Sequence, residues 1–306
     1  MSVYYSAAKI NLFLQVEGLL PSGYHELTSV MQSVSLFDRV EVEFGCDRYA
    51  LDCGGLSLGS EEKNIVTRMW RLLKKRFSLP GEAHIALEKH IPVGGGLAGG
   101  SGNGAAVLRA VMDAFALELS DAEIAGIAAE IGADVAFCCF GGTMLATGIG
   151  EKLERLPAMA PGAILLFDGG FHISTPEIFQ AYDRIAGEVE RASVSAMIEA
   201  LKSGERDEIG AALFNGLEKA VYPDYASLRQ LSETLGAREI PYLMSGSGPT
   251  VFALAEPKDV EYFTQGETER RAASFGRVIP VAPVSKGIFT EKEYLVWQKE
   301  HSCSCR

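Results

Sequence analysis

Residues 92–103 read Pro92-Val-Gly-Gly-Gly-Leu-Ala-Gly-Gly-Ser-Gly-Asn103, with six glycines ahead of the closing asparagine. Glycine costs backbone entropy and packs nothing, so such a cluster in front of an apolar helical pattern needs a physical reason. One reason is anion binding. Without Cβ atoms, successive N–H groups can approach a phosphate, and the first turn of a following helix adds unpaired N–H groups and the positive end of its dipole. Ser101 can add a hydroxyl donor. A flexible surface loop is the bland alternative. A dinucleotide loop is another, because Gly94, Gly96 and Gly99 fit G-x-G-x-x-G, a weak pattern by itself. Here it lies far from the N-terminus, and no acid downstream clearly ends a second strand where a ribose-binding carboxylate belongs. A Walker A loop is excluded at this position, since no Gly-Lys-Ser/Thr follows. The residues alone favour a phosphate loop of another kinase class, with its lysine elsewhere.

Working outward, Ala83–Lys89 reads as a short strand leading into the loop, and Ser101–Leu117 as a long helix with Val107, Leu108, Val111, Met112 and Phe115 inward. Asp38–Phe44 alternates as a half-buried strand. Asn64–Phe77 carries a helical stripe that Pro80-Gly81 breaks. Ala7, Ala8, Ile10 and Leu12 suggest a short buried strand around Lys9. Ser120 and Glu123 form a capping box for a helix running to Ile131, where Gly132 stops it. Thr143–Thr147, Ala163–Phe167 and Val251–Ala255 read as strands, and Pro176–Ala192, Val194–Lys202 and Tyr225–Leu235 as helices. A second glycine motif, Ser245-Gly246-Ser247-Gly248, precedes the last strand. Pro157 and Pro161 mark a boundary. The expected division is residues 1–157, residues 158–290 and a loose tail at 291–306. The interleaving predicts mixed α and β layers.

The chain has 306 residues, 47% hydrophobic and 22% charged, with a net charge of −12. That length suits two domains better than one. The acidic balance argues against broad nucleic-acid or membrane binding, so an anionic substrate must be drawn in by local groups. Six cysteines occur without a C-x-x-C pair, which fits a reducing, cytoplasmic setting. Cys138 and Cys139 read as buried small hydrophobes, and Cys303 and Cys305 as part of the tail. Neither a signal peptide nor a membrane-spanning run is visible.

The loop and several distant segments together resemble the GHMP kinases, a superfamily of ATP-dependent small-molecule kinases. The other segments are Ala8–Leu14, Gly23-Tyr-His-Glu-Leu27, Asn64-Ile-Val66 and Gly132-Ala-Asp-Val135. Gly148–Glu151, Ser174-Thr-Pro176, Asn215-Gly-Leu-Glu218 and Ser245–Gly248 complete the set. Within the superfamily, Ala-Lys-Ile-Asn-Leu with Gly-Tyr-His-Glu-Leu points to the branch whose acceptor is a cytidine-diphosphate-linked methylerythritol. Homoserine- or mevalonate-type kinases are the nearest alternatives, and a nicotinamide-dependent oxidoreductase the distant one.

The resemblance implies an α+β, two-domain fold, with an N-terminal ATP-binding domain, a C-terminal substrate-side domain and the active site between them. It implies ATP and Mg²⁺ as cofactors, with no protein metal ligand assigned, and a monomer or homodimer. Asp134 is implied as the general base and Lys9 as the cation beside it. The nucleotide is implied to contact Pro92, Gly94, Gly95, Gly96, Leu97, Ala98, Gly99, Gly100, Ser101, Gly102 and Asn103. Asn64 and Lys89 are implied on its nucleoside side. Asn11 is implied at the erythritol end, and Tyr24, His25, Thr175 and Phe179 around the cytidine. Ala98, Gly102 and Gly104 depart from the family pattern, where glycine, serine and alanine are usual.

Overall fold

Two long strands open the chain. β1 spans Ser2–Leu19 and β2 spans His25–Cys46, paired antiparallel along nearly their whole length. The alternation at 38–44 is therefore the end of a 22-residue strand, and the strand around Lys9 has 18 residues rather than a few. Sequence periodicity understates β1 because its middle is buried on both faces, so apolar residues do not alternate there. Register shifts near Ala7/Ala8, Asn11/Phe13 and Val16/Gly18 re-aim its side chains. The structure is a computed structural model, and it describes residues 1–265 and 276–301. Cys303 and Cys305 lie outside the described residues.

The first half continues with β3 (Ala50–Asp52), α1 (Ile65–Phe77), β4 (Glu82–Glu88) and α2 (Gly99–Ala114). Then come α3 (Asp121–Ala129), α4 (Ala133–Phe140), β5 (Thr143–Gly148) and β6 (Lys152–Arg155). β4 and β5 both pair antiparallel with β2. Trp70 and Leu73 of α1, Val107 and Val111 of α2 and Phe137 of α4 pack in one core with Val40, Val42 and Ile85 of the sheet. The capping box at Ser120 is present, with Glu123 N–H donating to Ser120 Oγ and Ser120 N–H to Glu123 Oε2.

The second half contains β7 (Ala163–Asp168), α5 (Thr175–Ile185), α6 (Val194–Ser203), α7 (Arg206–Ala212) and β8 (Phe214–Asn215). α8 (Glu218–Val221), α9 (Ala226–Gly236), β9 (Tyr242–Met244), β10 (Val251–Ala255), α10 (Pro257–Gln265) and β11 (Arg277–Val281) follow. Its sheet runs β11-β7-β10-β9, all antiparallel. The helix expected over 176–192 stops at Ile185, and a short 3-10 turn holds Gly187, a poor helix former. β8 pairs in parallel with β1, so the two halves share a sheet.

The chain then returns to the first sheet. β12 (Ile288–Thr290) pairs with β1, and α11 (Glu291–His301) follows. The expected loose tail at 291–306 does not hold for its described part. Tyr294 stacks on Tyr5 at 3.7 Å, and Trp297 meets the Phe37 ring edge-on at 5.1 Å. The second unit, drawn to 290, likewise ends too late, because β12 belongs to the first sheet. Both errors arise because the partners, Tyr5 and Phe37, lie more than 250 residues away.

The strand leading into the glycine loop pairs antiparallel along its whole length with β2, and in parallel only with the three-residue β3 at the sheet edge. A dinucleotide loop follows a strand of a parallel sheet, so that alternative falls.

Candidate active site

Lys9 sits in the middle of β1 and is 4% exposed. A buried ammonium needs partners. Its Nζ donates to Asn11 Oδ1 at 2.7 Å and lies 3.7 Å from Asp134 Oδ2. Asn11 Nδ2 donates in turn to Ser29 Oγ at 2.8 Å, and Ser29 Oγ to the Phe13 carbonyl at 2.7 Å. Lys9 is thus held by a chain of hydrogen bonds that ends in backbone. Asp134 stands in the first turn of α4, and its side chain is 39% exposed. The pair is asymmetric, with the cation fixed inside and the carboxylate open to a ligand. Burial pushes the Cys138 thiol well above its ordinary range, and Asp134 adds to the shift. Burial also pushes Cys139 up to about 12. Both cysteines are therefore thiols, as the apolar run 135–140 suggested.

The glycine loop reaches this pair directly. Lys9 N–H donates to the Leu97 carbonyl at 3.1 Å. α2 begins at Gly99 rather than Ser101, so Gly99, Gly100, Gly102 and Gly104 lie inside the helix. Their small size is used for packing. A Cβ on Gly104 would stand 2.6 Å from Ile65 Cγ2, and one on Gly102 would stand 3.2 Å from Ser6 Cβ. The missing side chain at 102 therefore points at β1. Ala98 adopts a left-handed conformation with φ 56°, where glycine is the unstrained choice.

Gly96 has φ +77°, and a Cβ there would lie 2.3 Å from the Ser245 carbonyl oxygen. The second glycine motif is what crowds it. Ser245 Oγ donates to the Gly96 carbonyl at 3.1 Å, and Thr250 N–H donates to the Gly95 carbonyl at 3.3 Å. The motif itself is braced from below. Asn215 Nδ2 donates to the Met244 and Gly246 carbonyls at 2.8 Å each, and Met244 N–H donates to Glu218 Oε1 at 2.7 Å. Burial raises the Glu218 carboxyl above its usual range. Gly246 comes so close that a Cβ would be 3.5 Å from both Lys9 Nζ and Asn11 Oδ1. Residues 9–11, 94–98, 134 and 245–248 converge on one place.

Beside them opens a cleft of about 670 Å³ bounded by residues 57–59, 63–66, 92–101 and Thr175. Pro92, Gly94, Gly95, Gly96, Leu97, Ala98, Gly99, Gly100 and Ser101 all line it, as does Asn64. Asn64 also caps α1, accepting from Val66 N–H at 2.9 Å. Lys63 lines the cleft too, a cation that no motif marked. Lys89 and Asn103 border it with their polar atoms turned inward. Lys89 Nζ pairs with Asp38 and donates to Asn103 Oδ1 at 2.9 Å, and Asn103 Nδ2 donates to Asp38 Oδ2 at 2.9 Å. Asp38, fully buried, also accepts the N–H groups of His90 and Ile91. This network holds the entry of the loop and engages Lys89, expected on the nucleoside side, and Asn103, expected among the loop contacts, while both residues also line the cleft. Nothing in the local sequence around Asp38 signalled its role.

On the substrate side, His25 and Phe179 stack at 4.7 Å between centroids, tilted by 23°. Tyr24 is 64% exposed, so it makes no sandwich with Phe179 in this structure. Thr175 Oγ1 is 2.7 Å from Ser247 Oγ, and Thr175 lines the cleft from the same helix that carries Phe179.

A largely antiparallel two-sheet α+β fold with a glycine loop closed over a buried lysine and an open aspartate is that of a GHMP-type small-molecule kinase. The family described as GHMP kinases N terminal domain matches residues 64–142, and GHMP kinases C terminal matches residues 197–264. A 4-diphosphocytidyl-2-C-methyl-D-erythritol kinase of Bacillus pumilus is 39% identical over 253 residues, 81% of this chain and 86% of the relative. One from Listeria monocytogenes serotype 4a is 40% identical over 251 residues, 81% of this chain and 85% of that one. A crystal structure of 4-(cytidine 5'-diphospho)-2C-methyl-D-erythritol kinase superposes with a TM-score of 0.75 at 32% identity, covering 92% of this chain and 98% of that one. Homoserine kinase from Cytophaga hutchinsonii shares the fold at a TM-score of 0.72 and 16% identity, over 94% and 96% of the two chains. The chain belongs to the 4-diphosphocytidyl-2-C-methyl-D-erythritol kinase family of GHMP kinases.

Proposed function

We propose that the chain transfers the γ-phosphoryl group of ATP to the 2-hydroxyl of 4-diphosphocytidyl-2-C-methyl-D-erythritol, a step of the non-mevalonate isoprenoid route. The observation that carries this reading is Lys9 Nζ lying 3.7 Å from Asp134 Oδ2 at the edge of the glycine loop. Phosphoryl transfer needs positioning, charge stabilisation and an oriented nucleophile. The hydroxyl oxygen attacks Pγ, the bond from Pγ to the bridging oxygen breaks, and ADP leaves with that electron pair. Asp134 takes the hydroxyl proton as the new bond forms, since the alcohol is too weak an acid to ionise first. Lys9 stabilises charge developing on the transferring oxygens. The N–H groups opening α2 face the cleft and suit the nucleotide phosphates.

The first sheet and its helices then hold the nucleotide, and the acceptor lies at their junction with the second half, which carries β7–β11. Asn11 is placed for the erythritol end, and His25 and Phe179 for the cytidine. Mg²⁺ uses few protein ligands and many phosphate and water oxygens. Ser101, a hydroxyl residue lining the cleft at the start of α2, fits a cation that enters with ATP. When bound it neutralises phosphate charge. Among the described residues no helix is long and apolar enough to cross a membrane. Purified protein with Mg·ATP and the cytidine-linked alcohol should release one ADP per phosphorylated product. Absence of turnover with this alcohol, alongside turnover of homoserine or mevalonate, overturns the substrate assignment.

A further inference from the structure

His25 opens β2, on the first sheet, and its side chain is only 10% exposed. Two residues of α5 in the second half hold it. Phe179 stacks on the ring at 4.7 Å, and Asp183 Oδ1 lies 2.7 Å from Nε2. Phe179 and Asp183 are four residues apart, so they share one face of the helix. Helix α5 therefore grips the imidazole by its face and by one nitrogen. The same hairpin is tied to the second half again farther on, where Arg191 pairs with Glu17 and Ala192 N–H donates to Gln15 Oε1 at 3.0 Å.

We infer that Asp183 is a specificity-determining positioning residue, which fixes the His25 tautomer so that the site accepts cytosine and rejects uracil. The inference rests on the proposed cytidine-linked substrate. A carboxylate oxygen accepts, so the Nε2 that faces Asp183 Oδ1 carries a proton, and in that tautomer Nδ1 is left as an acceptor. Cytosine presents a 4-amino donor at the edge where uracil presents the O4 acceptor. An Nδ1 acceptor pairs with the first and meets the second with two lone pairs opposed. A site built to hydrogen-bond one group rejects an analogue that leaves its own buried polar atom unpaired. Asp183 itself is 44% exposed and need not touch the base. Its influence runs through His25.

The test uses the full chain and the Asp183→Asn variant, which keeps size and removes the obligatory acceptor. An amide can donate to Nε2 and move the proton to Nδ1. Steady-state kinetics are measured with the cytidine-linked alcohol and its uridine-linked counterpart, and ¹⁵N NMR reads the His25 tautomer. The unaltered protein should carry its proton on Nε2 and prefer the cytidine form. In the variant, KM for the cytidine form should rise about tenfold with kcat nearly unchanged. The cytidine-to-uridine ratio of kcat/KM should fall by a similar factor, since one hydrogen bond in a partly open site has about that weight. Asp183→Glu should restore part of the preference. An unchanged base ratio or an unchanged tautomer in Asp183→Asn, in a protein still active on the cytidine form, overturns this inference and leaves the proposed function standing. Failure of the unaltered protein to phosphorylate either form overturns the proposed function instead.

Discussion

In the proposed mechanism Lys9 and Asp134 divide the chemistry by their surroundings. Lys9 is locked into β1 through Asn11 and Ser29, whereas Asp134 keeps more than a third of its side chain open. Replacing Asp134 by Asn preserves its shape and removes the proton acceptor. Turnover should fall by about 100-fold or more while ATP affinity, read by calorimetry, stays within about threefold. Unchanged turnover removes Asp134 from the mechanism. Asp38 gives the matching test for stability. It compensates Lys89 and accepts two backbone N–H groups at full burial, so Asp38→Ala strands a buried ammonium and those donors. The expected loss is about 3–5 kcal/mol by denaturant titration. A loss under about 1 kcal/mol contradicts the network's role. Lys9 and Asp134, which the structure brings within 3.7 Å, could be picked out from the sequence because each lies in a short motif. Asp38 and Asp183 were invisible because their partners lie 51 and 158 residues away, outside any local pattern.

Between elements, the decisive contact is the one from the glycine loop to the turn at 245–248. The loop was readable as a phosphate loop, but its glycines serve two ends. They free N–H groups for an anion, and they let two backbones approach within a distance no side chain permits. Gly96 carries both demands, a left-handed φ and a carbonyl oxygen where its Cβ would be. Gly96→Ala should therefore strain the loop and push the turn away from Lys9. Stability should drop by about 2 kcal/mol or more, and kcat/KM for ATP should fall by at least about tenfold. Gly126→Ala, on α3 with open space around its would-be Cβ, is the control, expected to leave both nearly unchanged. A Gly96→Ala protein as active as the control shows that the loop does not need this closure. Secondary structure was legible where patterns are local: β10 matches the reading at both ends, and the capping box of α3 is present. Of β1 only a short piece around Lys9 was legible, because its middle is buried on both faces and the alternation that marks a strand's extent is absent.

For the whole molecule, the two halves are less separate than proline punctuation suggests. β8 joins the first sheet, and so does β12, before α11 closes over the aromatic group of Tyr5, Phe37 and Phe289. The sequence of α11, Glu-Lys-Glu-Tyr-Leu-Val-Trp-Gln-Lys-Glu-His, is polar apart from its middle, and read alone it gives no address for Tyr294 and Trp297. Their address is supplied by β1 and β2, whose outer rings would otherwise face water. Tyr294 stacks on Tyr5, and Phe37 receives both Tyr294 and Trp297 edge-on at 5.2 and 5.1 Å. Aromatic pairs of this kind contribute about 0.5–1.5 kcal/mol each beyond their buried area. Ending the chain after Thr290 removes three such contacts and uncovers the sheet that carries Lys9. The thermal midpoint should fall by about 5–10 °C, given the shift per kcal/mol usual for domains of this size. The double variant Tyr294→Ala/Trp297→Ala should reproduce most of that fall with the helix backbone kept. Affinity for ATP at low temperature should change by less than about threefold, because the cleft is bounded by residues 57–59, 63–66, 92–101 and Thr175 and not by α11. A midpoint unchanged in both variants shows that α11 is not part of the folded unit. A fall in ATP affinity beyond that range shows that it reaches the active site through β1.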